Sequence, residues 1–134
     1  MSKDWRTMAS VRCLSVRQPW AWAIVHAGKD VENRTWATKY RGPLLIHAGL
    51  RMDDDDCLAL SDRIGEAALP EEVPLGGIVG VVDLVACVQD SRSRWAVTGA
   101  WHWVLANPKP LPFRALRGQR GLWEVSYRLP ALAA

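Results

Sequence analysis

Ser15-Val16-Arg17-Gln18-Pro19-Trp20-Ala21-Trp22-Ala23-Ile24-Val25-His26-Ala27-Gly28-Lys29-Asp30-Val31-Glu32-Asn33-Arg34-Thr35-Trp36 changes its hydrophobic period once, at Gly28, and that change decides the fold. Before it, Pro19 suits a first helical position, where its missing N–H is no loss, and Trp20, Ile24 and Ala27 follow helical spacing. Gly28 then supplies the C-terminal stop. Beyond it Val31, Asn33 and Thr35 alternate with polar neighbours as on a strand, which sends Glu32, Arg34 and Trp36 to one face. An ammonium, a carboxylate and a guanidinium therefore crowd together at a helix-to-strand junction.

Working outward, residues 11–16 alternate as a first strand and 18–28 form the helix. Strands follow at about 30–36 and 42–48, the second carrying Leu44, Leu45, Ile46 and Ala48 as a buried run. Asp53-Asp54-Asp55-Asp56 opens a second helix to about Ala67, because carboxylates cap free N–H groups and favour a helix N-terminus. Pro70 and Pro74 bound a loop, and Gly76-Gly77 turns the chain into a long strand from Ile78 to Val88. Trp95 is expected in a short helix, and Trp101 to Leu105 alternates like a strand. Asn107-Pro108-Lys109-Pro110-Leu111-Pro112 is expected to be irregular, since three prolines remove ladder donors. Leu122 to Leu129 is the last strand and Pro130 to Ala134 a loose tail. The order predicts one α+β domain over 1–134, with its core at about 11–129, built as a small β-barrel with flanking helices.

Composition bounds the class. A chain of 134 residues makes about one domain. No apolar stretch of about eighteen residues could span a membrane, and Met1 to Arg6 lacks a signal peptide's apolar run. Cys13, Cys57 and Cys87 are odd in number and lack paired ligand spacing, so they read as reduced thiols of a cytoplasmic protein, expected to be a monomer. Charge is uneven. Residues 1–51 carry nine Lys and Arg against three Asp and Glu, 52–90 one against ten, and 91–134 seven against one, which sums to the net +3. Basic ends around an acidic middle present a positive face where the ends meet, and such a face suits a polyanion.

Four motifs in order carry a family resemblance: Leu14 to Ala21, Gly28 to Trp36, Arg41-Gly42-Pro43-Leu44-Leu45-Ile46-His47-Ala48, and Gly76-Gly77-Ile78-Val79-Gly80-Val81-Val82-Asp83-Leu84, with Gly118 to Val125 as a closing strand. Together they resemble the ASCH domain, a PUA-like module, over about Leu14 to Val125. The resemblance implies a PUA-like barrel and an RNA-binding module that recognises single-stranded RNA or a modified nucleotide, without cofactor or metal. It also implies an alternative. Compact ASCH proteins that hydrolyse acetylated cytidine use a lysine of the same G-K motif, a threonine three residues on and a strand carboxylate. Lys29 matches that lysine and Asp83 could supply the carboxylate, whereas the hydroxyl position is occupied by Glu32.

Each candidate has a plain structural reading beside the functional one. Lys29 follows a helix end, where an ammonium compensates the dipole; in a cleft beside Glu32 or Asp83 it becomes a base or a phosphate ligand. Glu32 and Arg34 either order their strand as an ion pair or divide the work, Glu32 accepting from a base edge and Arg34 holding a phosphate. Gln18 and Trp20 flank the helix start, whose free N–H groups suit an anion. Eight tryptophans exceed what a small core needs, and Trp36 and Trp22 are the expected stacking platforms. His47 ends a buried strand as a structural histidine, or serves with Lys29 as the acid and base of a nuclease. His26 and His102 lack a Cys or a second His nearby, which argues against zinc, and capping explains Asp53–Asp56 without calcium. Arg114, Arg117 and Arg120, spaced by three with Gly118 and Gly121 between, read as a basic lip or as a solvated loop.

Overall fold

In the computed structural model the described residues are 8–128. They form β1 (Met8–Gln18), α1 (Trp20–His26), β2 (Val31–Arg34), β3 (Gly42–Met52), α2 (Asp54–Ile64), a 3-10 turn at Glu66–Ala68, β4 (Gly77–Val88), β5 (Trp101–Ala115) and β6 (Leu122–Arg128). The six strands make one mixed sheet in the order β2-β5-β4-β3-β1-β6. Only β1 and β3 run parallel; the other ladders are antiparallel. The fold is α+β as expected, but β2 and β6 are the two outer strands and no ladder joins them, so the sheet is not a closed barrel. The tail from Pro130 to Ala134 lies outside the described residues.

Side-chain alternation places one core on each face of the sheet. Leu14, Val16, Leu44, Ile46, Val82 and Leu84 gather around Trp103 and the buried face of α1, whose Ala21 and Ile24 complete that cluster. Val11, Cys13, Leu45, Ile78 and Val81 point the other way and meet Trp123 and Val125 of β6. Burial pushes the Cys13 thiol up to about 12, so it is an unreactive core residue. Pairing of β1 with β6, Val11 opposite Val125, also brings the two basic ends of the chain side by side.

Three local readings change. The helix is shorter than 18–28: Pro19 sits at its N-cap, and Gly28 at φ 73 ends it while the Lys29 N–H turns back to the Ala23 carbonyl at 3.1 Å. Trp95 lies in a turn segment and not in a helix. The proline-rich stretch 107–112 belongs to β5, which runs through to Ala115. Prolines at alternate positions all lack donors along one edge of a strand. β2 pairs only with Trp101–Val104, so beyond Val104 the ladder of β5 is with β4 alone and the missing donors cost little. Asn107, at φ 53, marks the irregularity where the register shifts.

The strand expected over 30–36 ends at Arg34, before Trp36, and the second helix stops at Ile64 short of Ala67. Asp53 caps α2, its carboxylate accepting the Asp55 N–H at 2.8 Å. Among the described residues no helix is long and apolar enough to cross a membrane.

Candidate functional site

Gly28 ends α1 and three residues later β2 begins, so Lys29 is folded under the helix it follows, 5% exposed. Its Nζ donates to the Val31 carbonyl and, at 3.2 Å, to Glu32 Oε1. Glu32 and Arg34 share a face of β2, as period-two spacing requires, and Arg34 donates to Glu32 Oε2 from Nε at 3.1 Å, with Nη2 2.9 Å from the same oxygen. The same Nη2 donates to the Ser15 carbonyl of β1 at 2.7 Å. The result is a buried triad in which one carboxylate holds two cations.

This triad floors a cleft of about 640 Å³ between β1, β2, α2 and the segment before β5. Trp20 and Trp36 line it, and Trp36 is 37% exposed, its ring meeting the Trp103 ring edge-on at 4.7 Å and 87°. Lys29 Nζ lies 5.9 Å from the centre of the Trp20 ring. The far wall comes from distant sequence: Arg63 of α2, Trp95 and Val97. Asn33 fixes that wall, donating to the Trp95 carbonyl and accepting the Val97 N–H, both at 2.9 Å. Trp95 itself is buried, with the guanidinium groups of Arg63 and Arg94 at 5.1 and 4.9 Å from its ring. Its face is therefore already covered, as is that of Trp20 by Lys29, and Trp36 is the exposed ring of the lining. Arg17 also lines the cleft, 3.3 Å from Asp56.

Other expected site residues lie elsewhere. Gln18, 1% exposed, donates to the Pro74 carbonyl at 3.0 Å and accepts the Trp22 N–H at 2.9 Å, so it caps α1 in place of an anion. Gln18→Ala should remove about 1–3 kcal/mol by leaving buried partners unmet. Ligand affinity per folded molecule should not change, which a thermal melt and a titration on one sample will read. Trp22 lines a smaller pocket of about 140 Å³ with Gln18, next to His26.

Neither expected partner of Lys29 lines the cleft, Asp83 for hydrolysis of acetylated cytidine or His47 for a nuclease. His47 is buried in β3, its Nε2 donating to the Leu116 carbonyl at 2.6 Å and its Nδ1 accepting from Ser15 Oγ at 3.0 Å, which latches the loop after β5 to β1. Asp83 accepts from Asn107 at 2.9 Å on the β4–β5 side. It stands near Tyr40, whose hydroxyl burial pushes above its ordinary value, with Arg12 opposing and Asp83 adding to the shift.

Arg114, Arg117 and Arg120 do not line the cleft. Arg114 donates to the Ser126 carbonyl at 3.1 Å and faces the Tyr127 ring. Arg117 and Arg120 are exposed on the loop whose Gly118 lies so close to His47 and Ser15 that a Cβ there would stand 2.8 Å from the imidazole. That loop adjoins the cleft through Ser15. Among the described residues no group of three or more His, Cys, Asp or Glu could hold a metal ion. Sequence reading missed Arg17, Arg63 and Trp95 as lining residues; the alternation of Ser15 and Arg17 along β1 was the only local signal for any of them.

The ASCH domain matches residues 14–113, from the second half of β1 through nearly all of β5, a span that contains every residue lining the cleft. Activating signal cointegrator 1 of Mus musculus is 36% identical over 86 residues, covering 60% of this chain and 15% of that protein. The protein of the same name from Homo sapiens is 34% identical over 86 residues, with the same shares. The chain thus spans about 15% of the length of these relatives. With the match running over most of its length, the chain belongs to the ASCH domain family.

Proposed function

We propose that this domain binds single-stranded RNA and holds one nucleotide in the cleft floored by Lys29, Glu32 and Arg34. The observation that carries the reading is a pair of cations, Lys29 buried and Arg34 half-buried, in a cleft of about 640 Å³ that Trp20 and the exposed Trp36 line. Pockets of roughly 300–1,000 Å³ suit small organic ligands, a nucleotide among them. Unpaired bases stack on indole faces, whereas a base inside a duplex has no face to offer, so single strands fit and helices do not. Arg117 and Arg120, exposed on the loop that adjoins Ser15, would meet the phosphates of flanking nucleotides. ASCH membership and the basic ends of the chain, adjacent in the β1–β6 ladder, support the same reading.

Anisotropy titration of a labelled single-stranded oligonucleotide at several salt concentrations tests it. Affinity should fall with salt at a log–log slope of about −0.7 per phosphate contacted. Trp36→Ala should weaken binding by about 1–3 kcal/mol, roughly five- to 150-fold, with a nearly unchanged melting temperature. Changing Arg117 and Arg120 together to Ala should flatten the salt slope. Absence of binding at low salt, or full affinity in Trp36→Ala, would overturn the assignment.

A further inference from the structure

We infer that the nucleotide enters phosphate first, so that the group recognised at the cleft floor is a terminal phosphomonoester; this rests on the nucleotide-binding reading above. The acceptors of the floor are engaged within the chain: Glu32 Oε1 by Lys29, Glu32 Oε2 by Arg34, the Val31 carbonyl by Lys29 and the Ser15 carbonyl by Arg34. The amide of Asn33 is engaged at both ends by the far wall. Donors remain. An ammonium has three N–H groups and two are directed to Val31 and Glu32; a guanidinium has five, and the bonds described use Nε and Nη2, leaving the Nη1 amino group. Every acceptor of the floor already receives at least one N–H from within the chain while whole N–H groups of Lys29 and Arg34 remain, so the floor favours oxygen or a bare ring nitrogen over the exocyclic amines of adenine and cytosine.

Charge selects among such ligands. A carbonyl edge would satisfy the donors but not the charge, because Lys29 and Arg34 together exceed Glu32 by one positive unit in a largely buried place. Arg17 and Arg63 add two more at the cleft lining, and Asp56 offsets one of them. The Arg17–Asp56 contact at 3.3 Å is electrostatic only: Asp56 Oδ2 is buried without a hydrogen-bond partner. The guanidinium of Arg17 therefore pairs in charge without being held in a fixed fork. The surroundings sum to about two positive charges. A phosphomonoester carries about −1.5 to −2 at neutral pH, whereas an internal diester carries one. Three terminal oxygens also match several converging N–H donors better than the two of a diester. The base would then lie toward Trp36 at the more exposed part of the cleft, read by stacking and hence with little preference among bases.

The test compares one single-stranded oligonucleotide in three forms on the wild-type chain: 5′-phosphorylated, 3′-phosphorylated and hydroxyl at both ends. At least one phosphorylated form should bind tenfold or more tightly than the hydroxyl form, and the two phosphorylated arms tell which end is recognised. A nucleoside monophosphate should displace the bound strand at concentrations where the nucleoside does not. Equal affinity of all three forms would overturn the phosphate-first inference while leaving RNA binding in the cleft intact. No binding of any form would remove both.

Discussion

Glu32→Ala should destabilise the domain by about 3 kcal/mol, enough to lower its thermal midpoint by roughly ten degrees, because it strands two cations that now share one carboxylate. Truncating one partner of a buried ion pair generally costs about 3–5 kcal/mol, since the remaining charge keeps its desolvation penalty. The lower end applies here, because the Arg34 side chain is 25% exposed and can recover some hydration. Glu32→Gln keeps the shape but sets an amide N–H₂ among donors, so it should lie between Ala and wild type. Excess phosphate-bearing ligand should restore part of the midpoint in either variant by binding the folded state. A melt of Glu32→Ala within about 0.5 kcal/mol of wild type would show that the triad is hydrated and not a buried unit. Were Glu32 to accept from a base edge or a hydroxyl, as the sequence suggests, it would do so beside the bonds its two oxygens already receive from Lys29 and Arg34.

How much of this was legible before the coordinates depends on the range of the interaction concerned. The Gly28 stop and the period change after it are local, so the meeting of Lys29, Glu32 and Arg34 could be read directly from spacing. Likewise the capping of α2 by Asp53 depends on residues two apart. Failures lie where the decisive partner is far along the chain. Asn33 and the Trp95 wall are 62 residues apart, and no periodicity announces their pairing. Gln18 resembled an anion-facing residue until Pro74, 56 residues on, claimed its amide. His47 stands opposite Ser15 in a parallel ladder, so its environment follows from strand order, which alternation alone leaves open. The prolines of β5 were misread for the same reason: whether a missing N–H matters depends on which neighbour is present at that edge.

Sheet order also explains why a basic lip and a basic floor are separate features. The closing loop reaches β1 from the β6 side, latched by His47 to the Leu116 carbonyl, whereas the triad hangs from β2 at the opposite edge of the sheet. Between them runs the end of β1, whose Ser15 carbonyl receives Arg34 and whose hydroxyl serves His47. A strand entering along the loop would thus meet Arg117 and Arg120 with its backbone before presenting an end to the cleft.

Trp103→Ala should cost about 3–5 kcal/mol, the largest loss expected of any single change considered, and should take binding with it. The indole is fully buried at the centre of the core beside α1 and stands opposite Glu32 in the β2–β5 ladder. Its Nε1 donates to the Trp36 carbonyl at 3.1 Å, and its ring meets the Trp36 ring edge-on. The core thereby touches the ring proposed to stack a base, and a conservative change can separate the two roles. Trp103→Phe keeps an aromatic ring in the core but removes the N–H, which is worth about 1 kcal/mol where the freed carbonyl can turn to water. Stability should then fall modestly, since the Phe ring leaves only part of the indole volume empty. Affinity per folded molecule should still drop severalfold, because Trp36 loses the bond that fixes its backbone. A thermal melt corrects the RNA titration for unfolded protein. Full affinity in folded Trp103→Phe would show that Trp36 is positioned by its own segment, and that the core does not set the geometry of the cleft.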